Sequence, residues 1–440
     1  MSFPDQVKDR LMQIISEMAE HPENYSKHPG IDFTRNKKLC FSKLLHLIVS
    51  MEAGSIKDEL LKYFSYDVGT ISNSAFFQQR AKLSQDALPY LFHTFNSGYS
   101  YLPYKNKYQL LACDGSSFSF TRNSKDPDAY FAPDGKTTNG YNQIHVVPLF
   151  DIINKRYTDC VIQPIRKKNE FQALCNLIDQ HRQSENMIPV FIADRGFHSL
   201  NVFAHAIEHQ AFFLIRATDV KMQRLAGKDL PIGQDCFDIE INRILTRSNS
   251  KKKMLHPELE SQYKYICPAV SFDYIDEETP EYSISLRVLR FKISEDGYEN
   301  IITNLPPDEF SMDEIKSLYN QRWQIETSFR VLKHVIGALN FHSKKREYIE
   351  MEVWSRLLLY NICSIITQHV VIERKGRMHL LQVNFSVAFK TCHHLIRLHN
   401  NEPPIDVESL IRKNVLPIRP DRKYARQHRF RVPASFTYRF

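Results

Sequence analysis

With 440 residues, 42% of them hydrophobic and 12% aromatic, the chain is too long for one ordinary core and too apolar to be disordered, so two or three folded domains are expected. The formal charge of +8 is gathered at one end: from Ile411 onward nine Lys or Arg stand against Asp421 alone, and residues 1–410 balance to zero. The eight cysteines form no CxxC pair and several sit in apolar runs, which argues against a disulfide scaffold and for core residues of a reduced cytoplasmic protein.

In chain order, residues 1–100 read as a helical domain, with Val7, Leu11, Ile14, Ile15 and Met18 and then Leu44, Leu45, Leu47, Ile48 and Met51 at helical spacing. Within it, Ser55–Phe64, a break at Tyr66–Thr70 and a second helix from Ser72 to Leu83 give a helix-turn-helix outline, although any small helical bundle has the same outline. Gln78, Gln79, Arg80 and Lys82 on the second helix are the candidate DNA-facing side chains. The next span, 101–218, alternates strand and helix. Tyr108–Cys113 is an apolar strand running into Asp114-Gly115-Ser116-Ser117, followed by turn-rich sequence through Pro133-Asp134-Gly135 and Asn139-Gly140. Ile144–Ile153 and Arg156–Ile165 form a hairpin. A helix over Glu170–Gln183, a buried strand Pro189–Ala193 ending at Asp194-Arg195-Gly196, a helix over Leu200–His209 and a strand Ala211–Ile215 complete a mixed sheet flanked by helices. Asp114 and Asp194 each end a strand, where α/β sheets gather polar groups; capping a turn is the other role open to them.

Residues 219–304 read as a β-rich insertion, with strands such as Tyr263–Val270 and Tyr282–Ile293 between charged loops. Residues 305–400 return to helix. Ser311 to Gly337 forms one amphipathic helix, opened by a Ser311/Glu314 capping box and stopped at Gly337. Tyr319, Arg322, Glu326, Arg330 and Lys333 fall within an arc of roughly 80° on it, beside the apolar stripe Leu318, Ile325, Phe329, Leu332 and Ile336. A solvated face with an Arg322–Glu326 pair would present the same pattern. Beyond it, Trp354–Ile372 and Val387–Leu398 are apolar helices packed beneath the sheet. Leu357–Ile372 is interrupted by Asn361, Gln368 and His369 and is read as a buried helix, not a membrane span. His393-His394 lacks partners at metal-ligand spacing. The end of the chain, 401–440, is a basic tail in which Tyr424, Phe430, Phe436 and Tyr438 alternate with cations; it suits a polyanion, and it equally suits a solubilising segment.

Three carboxylates, Asp114, Asp194 and Glu326, would repel one another unless cations joined them. Hard oxygen ligands suit Mg²⁺ or Mn²⁺, and two such ions can activate a water or a 3′-hydroxyl and stabilise a departing oxygen. Tyr319, Arg322 and Lys333 would then position DNA phosphates. These residues resemble the DDE transposases of bacterial insertion sequences, in the group with a Tyr-x₂-Arg-x₃-Glu-x₆-Lys signature. That signature is complete here within YNQRWQIETSFRVLK, and DGSSF and DRGF resemble the other two acidic motifs in order. The resemblance spans about residues 35–400. It implies a ribonuclease H-like core interrupted by the β-rich insertion, two Mg²⁺ or Mn²⁺ ions on the three acids, and cleavage at terminal inverted repeats with strand transfer to target DNA. It also implies end binding by the N-terminal helices, a homodimer pairing two ends, and a bacterial, nucleoid-associated protein. Relatives that pass through a hairpin end can hold a flipped base on a tryptophan of the insertion. Trp323 and Trp354 lie outside it, leaving Tyr263, Tyr265, Phe272 or Tyr274 as stacking surfaces. A nuclease of the same fold without strand transfer, and a transposase-derived DNA-binding protein without catalysis, are the alternatives.

Overall fold

The computed structural model describes residues 1–35, 37–133, 140–181, 187–248, 262–295, 297–338, 340–372, 380–399 and 402–418. The turns at 134–139, the loop from 249 and the basic tail beyond Ile418 lie outside the described residues.

Five helices open the chain: α1 (Phe3–Glu20), α2 (Phe41–Val49), α3 (Ile56–Tyr63), α4 (Asn73–Arg80) and α5 (Ala87–Ser97). Ser2 with Asp5 and Ser55 with Asp58 form capping boxes that satisfy the first free backbone donors of α1 and α3. There follow β1 (Tyr108–Cys113), β2 (Ser116–Phe120), β3 (Tyr130–Phe131), β4 (Tyr141–Asp151), β5 (Arg156–Pro164), α6 (Glu170–Gln180), β6 (Ile188–Ala193), α7 (Leu200–Glu208) and β7 (Phe212–Ala217). Strand β4 runs antiparallel to both β1 and β5, whereas β6 joins β1, and β7 joins β6, in parallel. The order β5-β4-β1-β6-β7, three antiparallel strands and then two parallel ones reached by helical crossovers, is the ribonuclease H-like arrangement.

After α8 (Asp219–Ala226), the strands β8 (Phe237–Thr246), β9 (Tyr263–Tyr265), β10 (Glu281–Lys292) and β11 (Tyr298–Thr303) do not fold apart from this sheet. They extend it past β7 in the order β11-β10-β8-β9. Asn304 secures the join, its carboxamide accepting from Phe213 N–H at 2.9 Å and donating to Ala211 O at 3.0 Å.

The expected helix from Ser311 to Gly337 is two, α9 (Met312–Gln321) and α10 (Trp323–His334), with Arg322 between them. Arg322 N–H bonds to Tyr319 O and Ile325 N–H to Arg322 O, each three residues back, so the coil tightens there without unwinding. The Ser311/Glu314 box is present, and Gly337 ends the run at φ +80°. Helix α11 (Arg346–His369), strand β12 (Leu381–Val383), α12 (Phe385–Arg397), α13 (Val407–Lys413) and β13 (Val415–Pro417) close the described chain.

Alternating side chains of the sheet feed two cores. Leu111, Cys113, Phe191, Ala193, Phe213 and Ile215 face α6 and α7. Leu110, Ala112, Val190, Ile192 and Leu214 face the other way, into a core shared by α1–α5, α10 and α11. Helix α11 is buried on nearly every side and carries ionic anchors. Arg356 donates to Met51 O and to Glu52 O, and Glu352 accepts from Arg80 Nη1 at 3.1 Å and from His342 N–H at 2.9 Å. Asn361 donates to Tyr157 O at 2.7 Å and to Asn96 Oδ1 at 3.0 Å, tying β5 and α5 to the same helix.

Candidate active site

Strands β1 and β2 are one strand with a break. Cys113 pairs with Leu149 and Ser116 with Val146, a single uninterrupted register along β4. That register sets Asp114 opposite Pro148, which has no N–H to give a ladder. The chain therefore turns out at Asp114-Gly115 and returns at Ser116. On its other side Cys113 pairs in parallel with Ala193, so Asp114 and Asp194 are the next residues on adjacent strands about 4.8 Å apart. Each carboxylate is steadied locally: Asp114 Oδ1 accepts from Gly115 N–H and Asp194 Oδ1 from Gly196 N–H, both at 2.8 Å.

The tightened turn at Arg322 aims its guanidinium into this corner. Arg322 is 5% exposed, with Nη2 at 3.0 Å from Glu326 Oε1 and Nη1 at 3.8 Å from Asp114 Oδ2. Burial pushes the Asp114 carboxyl up to about 6; the Gly115 N–H and Arg322 oppose the rise, and Asp194 and Glu326 add to it. Lys333, one helical turn beyond Phe329, reaches Ser116 Oγ at 2.7 Å and lies 4.8 Å over the Phe118 ring. Burial lowers its ammonium, with Asp114 opposing. Tyr319 is buried beneath the Arg322 guanidinium, its phenol pushed up to about 12 chiefly by burial. Among the described residues the Tyr319 hydroxyl and Arg322 Nε and Nη1 have no hydrogen-bond partner.

Asp114, Asp194, Glu326, Tyr319, Arg322 and Lys333 thus converge on one corner of the sheet, but not as an exposed charged stripe. Arg322 and Tyr319 are interior, and Arg330 alone of the arc stands fully in solvent. Among the described residues no three His, Cys, Asp or Glu side chains are already drawn together as a metal cage. The cation among these acids is Arg322. The donor chemistry still fits a hard divalent ion, since all three groups are carboxylates and Asp114 is raised by burial that Arg322 only partly offsets, while the buried donors beside them suit the oxygens of an anion. Sequence reasoning missed Arg216, which pairs with Glu299 at 3.1 Å across β7 and β11 behind Tyr319, and missed His145 with Glu170 beside Gly115. No fixed spacing links these partners, so no sequence signal marks them.

The N-terminal candidates are dispersed. Helices α3 and α4 form the helix-turn-helix outline, but Phe76, Gln79 and Arg80 share the inward face of α4. Arg80 is 2% exposed, because buried Glu352 needs a cation and the rings of Phe76 and Tyr348 sandwich its guanidinium at 5.1 and 4.6 Å. Gln79 and Arg80 therefore do not face outward as expected. Gln78 is exposed, and Lys82 is half-exposed near Asp32. Of the candidate stacking rings, Phe272 is buried against Tyr274 and Tyr282, whereas Tyr265 is exposed.

Fold and corner together define a ribonuclease H-like scaffold with acidic side chains gathered at its strand ends. The transposase DDE domain model matches residues 105–362, more than half of the chain and including all three acids, and the chain belongs to that family of transposases. It is similar to the transposase for insertion sequence element IS231E of Bacillus thuringiensis subsp. finitimus, 27% identical over 84 residues and 18% of each chain. It is also similar to transposase InsG for insertion sequence element IS4 of Escherichia coli (strain K12), 40% identical over 55 residues and 12% of each chain. The alignments thus span less than a fifth of these relatives' lengths. A piggyBac transposase, solved by cryo-EM as a synaptic complex with hairpin DNA, matches at TM-score 0.47 and 11% identity over 93% of this chain and 85% of that one. Among the described residues no helix is long and apolar enough to cross a membrane.

Proposed function

We propose that the chain is a DNA transposase that cuts the inverted-repeat ends of an insertion sequence and joins them to target DNA. The observation that carries this reading is the placement of Asp114 and Asp194 at the ends of adjacent parallel strands, with the Arg322 guanidinium between Asp114 and Glu326. The reaction exchanges one phosphodiester P–O bond for another, with water as nucleophile in cleavage and a 3′-hydroxyl in joining. The three carboxylates would hold Mg²⁺ or Mn²⁺, two ions in this reading, which when bound supply charge for the attacking and leaving oxygens. Arg322 joins Asp114 and Glu326 before DNA arrives; its Nε and the Tyr319 hydroxyl, without a hydrogen-bond partner among the described residues, are donors ready for phosphate oxygens. Lys333, whose charge Asp114 favours against its burial, adds a further cation for the backbone. Gln78 and the exposed side of α4 are the remaining candidates for reading the terminal repeats, with the residues beyond Ile418 contributing phosphate contacts. A homodimer pairing two ends, a hairpin intermediate and a nucleoid-associated location in a bacterium belong to the same reading.

The test is cleavage and joining of a labelled duplex ending in the element's terminal repeat. Asp194→Asn and Glu326→Gln should each abolish Mg²⁺-dependent cleavage while end binding persists. Near wild-type cleavage by either variant removes that residue from the site, and cleavage without joining by the wild type indicates a nuclease.

A further inference from the structure

Beside the three acids stands a pair that this reaction scheme does not use. His145 on β4 is 3% exposed, and its Nε2 lies 2.8 Å from Glu170 Oε1 at the start of α6. An ionised carboxylate only accepts, so Nε2–H donates to Glu170, and Nδ1 shares a hydrogen bond with Ser117 Oγ at 3.2 Å. The His145 hydrogen bond holds the Glu170 carboxyl below its usual range, and a helix N-terminus favours the charge there. Both side chains press on one peptide: a Cβ at Gly115 would collide with Glu170 Oε1 and His145 Nε2. Only glycine lets the pair close over the residue that follows Asp114. From the opposite side Lys333 grips Ser116 Oγ at 2.7 Å. The bracing has a reason in the backbone, since Pro148 stands opposite Asp114 and offers the turn no N–H.

We infer that His145 and Glu170 are positioning residues that clamp the Asp114-Gly115 turn against Lys333 and so hold the Asp114 carboxylate toward Asp194 and Glu326 for divalent-cation binding. This rests on the metal-dependent reading above. Groups that orient a ligand without touching the ion typically change affinity by roughly 10–100-fold when removed. The Glu170 side chain is 29% exposed at the first residue of α6, outside the apolar cores, so its length can be altered without opening a cavity in them.

The experiment titrates full-length protein with Mn²⁺ calorimetrically, without DNA, and records thermal midpoints in EDTA. Glu170→Asp keeps the charge but withdraws it by one methylene; Glu170→Gln keeps the shape and still accepts from His145. Glu170→Asp should weaken Mn²⁺ binding roughly tenfold, with an unchanged midpoint in EDTA, while Glu170→Gln stays within about twofold of wild type. Wild-type Mn²⁺ binding by Glu170→Asp overturns the inference, as does a lowered midpoint with unmoved Mn²⁺ binding or a Glu170→Gln defect equal to that of Glu170→Asp. Asp114→Asn separates the two levels. If it binds Mn²⁺ like wild type, the metal reading itself fails; if it loses Mn²⁺ while Glu170→Asp does not, only the clamp fails.

Discussion

Asp114→Asn should make the metal-free protein more stable while destroying its activity. In an unfolded chain this carboxyl titrates near 3.8; in the folded protein it is pushed up to about 6, mainly by burial. At 1.36 kcal/mol per tenfold, that gap makes the ionised side chain a liability of up to about 3 kcal/mol near neutral pH. The sign follows from proton counting. Between pH 3.8 and about 6 the folded protein holds a proton that the unfolded chain has released, so stability falls as pH rises through that window and levels off above it. Asparagine has no charge to desolvate and its Oδ1 can still accept from Gly115 N–H. It forfeits only the loose 3.8 Å approach to Arg322. A gain of about 1–3 kcal/mol is therefore expected at pH 7.5 in EDTA, shrinking to nothing below pH 4. Urea melts of wild type and Asp114→Asn from pH 4 to 8 measure it, and Mg²⁺ should restore stability to the wild type alone. A variant less stable than wild type, by an amount independent of pH, would refute the desolvation reasoning.

Arg322→Ala should lose about 1–3 kcal/mol in urea melts, less than a fully buried pair would, because the Glu326 side chain remains 36% exposed. It should also lose cleavage of a labelled end; a fully stable, fully active Arg322→Ala protein would return this residue to the solvated surface. Arg80→Ala should cost up to about 3–5 kcal/mol by taking from buried Glu352 the guanidinium at 3.1 Å and leaving it to His342, whereas Gln78→Ala should leave the melt unchanged and weaken end binding in gel shifts. Truncation after Ile418 removes seven Lys or Arg and Asp421, and should weaken binding to every duplex and flatten its salt dependence while preference for the ends survives.

Much of the catalytic sheet was legible because its strands are short apolar runs bounded by turn residues. Tyr108–Cys113 forms over the expected residues, and the strand ending at Ala193 was misjudged only at its first residue. Asp114 and Asp194 were visible for the same reason, each standing where an apolar run stops. What escaped the sequence depends on partners far along the chain. Strand β2 reads as a turn because Gly115, Ser116 and Ser117 have no strand preference; its register along β4 makes it a strand. Arg80 reads as a surface cation until Glu352, 272 residues away, draws it inward. Polar spacing on the helix singled out Tyr319, Arg322 and Lys333 around Glu326, together with Arg330, which stays exposed, but it could not show the i−3 bonds at Arg322 that turn the guanidinium from solvent toward Asp114 and Glu326.

The anchors on α11 have a consequence for how such a protein can be taken apart or evolve. Arg80, Met51 and Glu52 from the first hundred residues are bound to side chains of α11, and the apolar contacts of α1 through α5 run without a seam into the sheet. A cut near residue 100 would take Arg80 from Glu352 and the carbonyl acceptors from Arg356, and strip the cover from α11. Neither half is a cassette that could be lifted out and exchanged with a relative. If α4 reads the ends as proposed, new specificity must come from substitutions on its outer face, within a body that is inherited whole.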